Sequence, residues 1–482
     1  MSVNTIEGQG ERLIEEVRAQ ISEVSTGAVL AFCLDHLRQL PADGIDWYQR
    51  RPFVPLLIMK WAAELWSPDE QRRQIDQRDY ALMCQKVWDA NGDLFRPGHV
   101  SIFMRRMAFQ QIWYQHNFDK GSIPRQAVIF GDFMRDAPVV RDFVERAGIE
   151  PGDFARQLAV MAAQIGELIG IAGLEELRPQ PRPTDAAHWG IVTPHFQTDL
   201  PAMHARMVDL ASYATPRGVE LCEQSPLIPT PFLHTRNGFE CIHHKLLFRA
   251  LETRLYDILR GAGAERFMRE FGPAFERYVG AVLEELGFRL IEERALQGML
   301  AGQGKCVDFA LVDEDILVLV DSKGIEGHYD ERYHSLPEVL TNKLRTTALH
   351  AADQAIETFR RLPEELQRPM TVFLCVTYKQ LNIGDGDALR ALTVNTPDWD
   401  SARWHEAGLP PSQMFTISIQ ELELLAGIVR AGGRLSEIFR QILANNASPE
   451  TSKLLFQQHL ARYGQVEIPR FSRLAAHRLC GI

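Results

Sequence analysis

The segment Leu317-Val318-Leu319-Val320-Asp321-Ser322-Lys323-Gly324 runs four apolar residues straight into an acid and a base separated by one serine. A short continuous apolar run of this kind reads as a strand buried on both faces, as in the middle of a parallel or mixed sheet. Side chains alternate along a strand, so Leu319, Asp321 and Lys323 share a face. A buried strand that delivers two opposite charges to one face needs a reason, and the neighbouring sequence supplies one.

Just upstream, Lys305-Cys306-Val307-Asp308-Phe309-Ala310-Leu311-Val312 is a second strand-like run, followed by an acidic turn at Asp313 and Glu314. With an even-numbered turn, the hairpin register pairs Asp308 with Leu319, and opposed residues point to one face. Asp308 then lies diagonal to Asp321 at the ~7–8 Å typical of such neighbours. Carboxylates drawn to within ~6 Å repel by about 3 kcal/mol at an effective dielectric near 20, enough to raise one of them by about two pH units. Lys323 brings one positive charge, and oxygen-rich clusters suit Mg²⁺, which takes one or two carboxylates and leaves its other positions to water and substrate phosphate. An ion so held polarises a phosphodiester and acidifies its bound water, while Lys323 orients that water or steadies the developing charge.

The flanking sequence is read in the same way. Residues 272–288, GPAFERYVGAVLEELGF, place Phe275, Val279, Val282, Leu283 and Leu286 on one helical stripe, with Pro273 suited to the first turn and Gly287 to the end. FRLIEERAL, residues 288–296, reads as a strand. Beyond the hairpin, a helical pattern runs from about Pro337 to Leu362 on Leu340, Leu344, Ala348, Ala351, Ala355 and Phe359, and MTVFLCVTY, residues 370–378, is a further buried strand. The predicted order is helix, three strands, helix, strand.

Glu276 in FERYV, Asp308 in KCVDF, and Asp321 with Lys323 in LVDSKG resemble the PD-(D/E)XK nuclease superfamily, restriction endonuclease-like proteins whose core has this order of elements. The resemblance covers about residues 265–380. It implies that Asp308, Asp321 and Glu276 hold a divalent metal, Mg²⁺ or Mn²⁺, that Lys323 assists the attacking water, and that Gln354 in ADQAIETF packs by the site from the second helix. Val307 stands where the superfamily's name-giving proline would be.

The fold class predicted for the whole chain is mixed α+β, with a mostly helical N-terminal region, an αβββαβ nuclease-like core and a helical C-terminal tail. Apolar spacing of three and four makes residues 1–177 a helical domain for partner binding or substrate positioning, with Trp47, Trp61, Trp66, Trp88 and Trp113 as core fillers or, alternatively, a stacking platform for bases. LRPQPRPTD, residues 177–185, marks a boundary. Residues 178–265 read as a proline-rich connecting region with a helix, 266–395 as the nuclease-like domain, and 396–482 as a helical C-terminal extension; past Tyr378, ALRALTV and MFTISIQELELL suggest a further strand and then helices that wrap the core or serve an oligomer interface.

A net charge of −11 over 482 residues excludes a general electrostatic footprint for nucleic acid, so any such contact is local; Lys343, Arg345 and Lys379 are candidates for phosphate, or simply solvated. Seven single cysteines without a CxxC pair fit a reducing cytoplasm, and no segment reads as a secretory signal or a membrane span. The histidines at 188, 195, 204, 234, 243 and 244 lack the close paired spacing of a structural zinc site. Residues 298–306, GMLAGQGKC, lack the first glycine and the final hydroxyl residue of a phosphate loop. The functional expectation is a cytoplasmic, metal-dependent nuclease acting on DNA in a restriction or phage-defence role. RNA as substrate, or a catalytically inactive nuclease-fold scaffold, are the alternatives.

Overall fold

A computed structural model describes residues 4–38, 52–68, 72–94, 107–108, 114, 118–169, 177–211, 220–221, 224–300, 304–324, 342, 344–393, 401–448, 450–464 and 467–481. The protein is of mixed α+β class, with a three-stranded and a six-stranded sheet among many helices. No helix among the described residues is long and apolar enough to cross a membrane. The chain divides into two compact units, one drawing on Met1–Lys120 and Arg156–Arg254, the other on Gly121–Ala155, Leu255–His328 and Leu336–Ile482.

In the first unit, the helix Phe53–Glu64 is buried on every side from Phe53 to Ala63, as befits FVPLLIMKWAA. Helices Asn4–Ser22, Thr26–Arg38 and Gln77–Leu94 surround it through Ile14, Val17, Ile21, Val29, Leu34, Met83 and Val87. Its one charged interior residue is compensated: Lys60 Nζ lies 2.9 Å from Glu220 Oε2, which also accepts from Trp61 Nε1 at 2.7 Å. Trp61 is therefore core, Trp66 and Trp88 are partly buried, and Trp47 and Trp113 lie outside the described residues. The proline-rich stretch after residue 177 contributes helices Asp185–Val192 and Leu200–Ala211 and a small sheet, in which Phe232–Thr235 pairs parallel with Gln197–Thr198 and antiparallel with Gly238–Cys241.

The second unit carries the segment quoted at the outset. Helix α1 (Ala264–Glu284) buries Phe267, Phe271, Phe275, Tyr278, Val279, Val282 and Leu283 along one stripe and is followed by Gly287 in the left-handed region at φ 74°. It begins well before Pro273, which lies in its interior rather than in the first turn. The start is set by Gly263 at φ 156°, and the proline is tolerated there at the cost of one backbone hydrogen bond.

Strand β1 (Arg289–Glu292) is shorter than predicted, because the chain turns at Glu293 into helix α2 (Glu293–Met299). ERALQGM is rich in strong helix formers, and that preference decides the short segment. Strands β2 (Phe309–Val312) and β3 (Ile316–Lys323), helix α3 (Ala348–Arg361) and strand β4 (Met370–Thr377) follow in the predicted order. The long predicted helix is interrupted at Thr347, whose φ −121° and ψ −93° break the helical path, and its residues 337–341 lie outside the described ones.

The hairpin register differs from the prediction by two residues. Ala310 rather than Asp308 faces Leu319, and Val312 faces Leu317. Four residues turn the corner, closed by the Asp313 N–H donating to the Ile316 carbonyl at 3.0 Å. The turn is still even-numbered, so each side chain keeps its predicted face. One step beyond the ladder, Asp308 stands opposite Asp321 rather than diagonal to it.

The C-terminal region is not purely helical. Strand β6 (Met414–Ser418) runs parallel to β4, and β5 (Gly384–Asp385) pairs antiparallel with β6. ALRALTV is instead helical over Gly386–Leu392. The sheet order is β1-β2-β3-β4-β6-β5, with β3 between antiparallel β2 and parallel β4. Its apolar run is buried through Asp321, as a strand in this position requires. Helix α3 packs its alanines 348, 351, 352 and 355 inward. Gly280 of α1 faces β2, where an added Cβ would meet the Phe309 ring at 3.1 and 3.2 Å.

Candidate active site

Strand β3 carries Asp321 and Lys323 to one face at its end. Asp321 is completely buried, with Lys323 Nζ 2.5 Å from its Oδ2. Lys323 is the donor that meets this carboxylate, and among the described residues Asp321 Oδ1 has no hydrogen-bond partner. Gln354 holds the lysine from α3. Its Oε1 accepts from Lys323 Nζ at 3.1 Å, and its Nε2 donates to the Cys306 carbonyl at 3.1 Å. Gln354 thus ties the strand that ends in Lys323 to the chain entering β2.

Asp308 is positioned by β3 as well. Its Oδ2 accepts from both the backbone N–H and the hydroxyl of Ser322, each at 2.6 Å. Asp308, Glu276 of α1 and Glu293 at the start of α2 are partly buried and offer ligand oxygens that all lie within 4.8 Å of one another. The structure therefore brings Glu276 and Asp308 together, as the resemblance implied, and adds Glu293, which the sequence reading assigned to the interior of a strand. Asp321 is not part of that close triad but feels Asp308 and Glu293 electrostatically.

The crowding is visible in the acidities. Burial, and then the charge of Asp308, push Asp321 up to about 7, against the opposing pull of Lys323. Burial, with Asp308, Glu293 and Glu292 beside it, likewise pushes Glu276 up to about 7. For Lys323, burial works against the charge, but Asp321 more than offsets it and holds the ammonium above its ordinary value. Lys323 is therefore a cation and a donor rather than a proton acceptor.

This donor set fits a hard divalent cation. It is made only of carboxylate oxygens, it sets four acids against one lysine, and Oδ1 of its deepest carboxylate has no hydrogen-bond partner among the described residues. Among the described residues, Glu276, Glu293 and Asp308 are the group whose oxygens converge closely enough to hold such an ion, and Asp321 stands beside them.

The absence of proline at 307 has a local explanation, since the Val307 N–H donates to Thr358 Oγ1 at 3.1 Å. The predicted phosphate contacts fare differently. Lys379 is engaged with Asp257 at 3.0 Å and stands 4.7 Å over the Tyr256 ring, Arg345 is exposed, and Lys343 lies outside the described residues. No protein-family model, no curated protein and no solved structure matches the chain.

Proposed function

We propose that the protein is a metal-dependent nuclease hydrolysing phosphodiester bonds, with Mg²⁺ or Mn²⁺ as cofactor and DNA as substrate, acting as a cytoplasmic endonuclease in a restriction or phage-defence role. One observation carries this reading: a fully buried aspartate, paired to a lysine two residues on, standing opposite a second aspartate that converges with two glutamates. The sequence resemblance of Glu276, Asp308, Asp321 and Lys323 to the PD-(D/E)XK superfamily supports the same reading.

When bound, the metal supplies Lewis-acid polarisation of the phosphodiester and an acidified water. Asp308, Asp321 and Glu276 would hold it, and Ser322 fixes Asp308 for that task. Lys323 retains its proton and presents an ammonium to the charge that develops on phosphorus-bound oxygen, and Gln354 sets the direction of that ammonium.

The test is side-by-side incubation of the purified protein with single- and double-stranded DNA and RNA in Mg²⁺, Mn²⁺ or chelator. Cleavage that needs the ion and is lost in Asp321→Ala and Lys323→Ala supports the proposal. Cleavage unchanged in those variants removes the site assignment, and calorimetry showing no metal binding with or without nucleic acid favours the scaffold reading.

A further inference from the structure

Beside the acidic centre lies a second group of side chains of opposite character. Lys305 precedes β2 and is exposed; its Nζ is 3.5 Å from Nε2 of His350, one helical turn before Gln354 on α3. The backbone that carries Lys305 is pinned to the same helix. Arg361 donates to the Lys305 carbonyl at 3.0 Å, and Gln354 donates to the Cys306 carbonyl at 3.1 Å. Gly304, at φ 76°, lies under the guanidinium of Arg361, whose nitrogens are 3.5 Å from where a Cβ would stand. A mobile surface lysine needs none of this anchoring.

His350, Gln354 and Arg361 fall on one face of α3, spaced by four and seven residues. Arg361 has Glu357 at 3.5 Å as a counter-charge, and His350 has the charge of Asp353 in its field. For Lys305, the contact among the described residues is another base. Burial, with Lys305 and Lys323 nearby, lowers His350 from its ordinary value, so its neutral Nε2 can accept from Lys305 Nζ, and the ammonium keeps a charge and further N–H donors with which a phosphate oxygen can pair. His350 lies one turn of α3 before the glutamine that holds Lys323, and Lys305 directly precedes Cys306, whose carbonyl that glutamine also holds, so an anion there is adjacent to the acidic centre without occupying it.

We propose that Lys305 and His350 form a seat for a backbone phosphate of the nucleic acid, next to the one cleaved. The inference rests on the nuclease reading and names a substrate contact of that site. Such a contact positions the strand without reading its sequence, so its loss weakens binding to all sequences alike.

The experiment measures the affinity of the full-length Asp321→Asn protein for a labelled DNA duplex and a single strand, in Mg²⁺, across a series of salt concentrations. Adding Lys305→Ala is expected to weaken binding severalfold and to flatten the slope of log affinity on log salt by about one. Lys305→Arg retains the slope. His350→Ala is expected to lower affinity in the same direction, and Arg440→Ala, a surface charge removed elsewhere, changes nothing. Circular dichroism of each variant establishes that it folds. A Lys305→Ala protein that behaves like Arg440→Ala overturns the phosphate seat while leaving the nuclease reading intact. A parent protein that binds no nucleic acid in any of these conditions overturns both.

Discussion

Ser322 donates two hydrogen bonds, one from its backbone and one from its hydroxyl, to a single carboxylate oxygen of Asp308, both at 2.6 Å. A residue lying between the two site residues of its own strand thereby fixes an acid on the neighbouring strand. Charge-assisted bonds of this type are roughly twice as strong as neutral ones. Ser322→Ala, which removes the hydroxyl bond and keeps the backbone one, is expected to lower Mn²⁺ affinity by about three- to tenfold by loosening the Asp308 carboxylate, a loss of roughly 0.7–1.4 kcal/mol. Titration calorimetry reads it directly; an unchanged affinity would show that Asp308 needs no such support.

Asp321 is pushed from 3.8 to about 7 and Glu276 from 4.5 to about 7. An acid with a raised pKa keeps its proton in the folded state after the unfolded chain has released it. Its contribution to stability is complete below about pH 4, declines as pH rises toward 7, and is flat above. The metal-free native protein should therefore lose melting temperature between pH 5 and pH 8 relative to Asp321→Asn, which lacks that titration. Added Mn²⁺ reverses the trend, because it binds the deprotonated acids and releases about one to two protons near pH 6.5. Calorimetry in two buffers of different ionisation enthalpy counts them, and a count of zero refutes the crowding argument.

Gln354 touches Lys323 with one end and the Cys306 carbonyl with the other. It is a positioning residue. Gln354→Ala is expected to lower kcat by about tenfold, roughly 1.4 kcal/mol, while leaving Mn²⁺ affinity within about twofold. Gln354→Glu, which still accepts from the lysine but no longer donates to the carbonyl, should recover part of the rate. Equal losses in metal binding and turnover would assign Gln354 to the fold alone.

A proline at position 307 would remove the N–H that Thr358 accepts. Val307→Pro is expected to destabilise the protein by about 1–3 kcal/mol through that lost bond and the rigid ring in a buried strand approach. The shift in denaturation midpoint measures it, and a neutral result would mean that the threonine hydroxyl is indifferent to this partner.

The common face of Asp308, Asp321 and Lys323 was legible in the sequence because it depends only on the strand period and on an even-numbered turn. The register itself was not, since Asp315 and Ile316 extend the turn beyond the two acidic residues that advertise it. Parity survives an error of two, so the face came out correctly although the opposing residue did not. Glu293 was missed for a different reason. FRLI and ERAL form one apolar and charged stretch, and only the run of helix formers after Glu292 signals that the strand ends there. Pro273 misled because a proline is best accommodated in a first turn, whereas here the turns preceding it are held by Phe267 and Phe271 in the aromatic core with Tyr378. Strand β6 is too short for its pattern to reveal which sheet it joins.

That last strand has a bearing on how the protein is handled. Because Met414–Ser418 is hydrogen-bonded along Phe373–Thr377, a chain ending at residue 395 would present a bare, water-shunning ribbon of backbone donors and acceptors two strands from Asp308. A shortened version cut to the αβββαβ segment is expected to self-associate on expression, as light scattering would detect, whereas one retaining β6 and the helix that follows it stays dispersed.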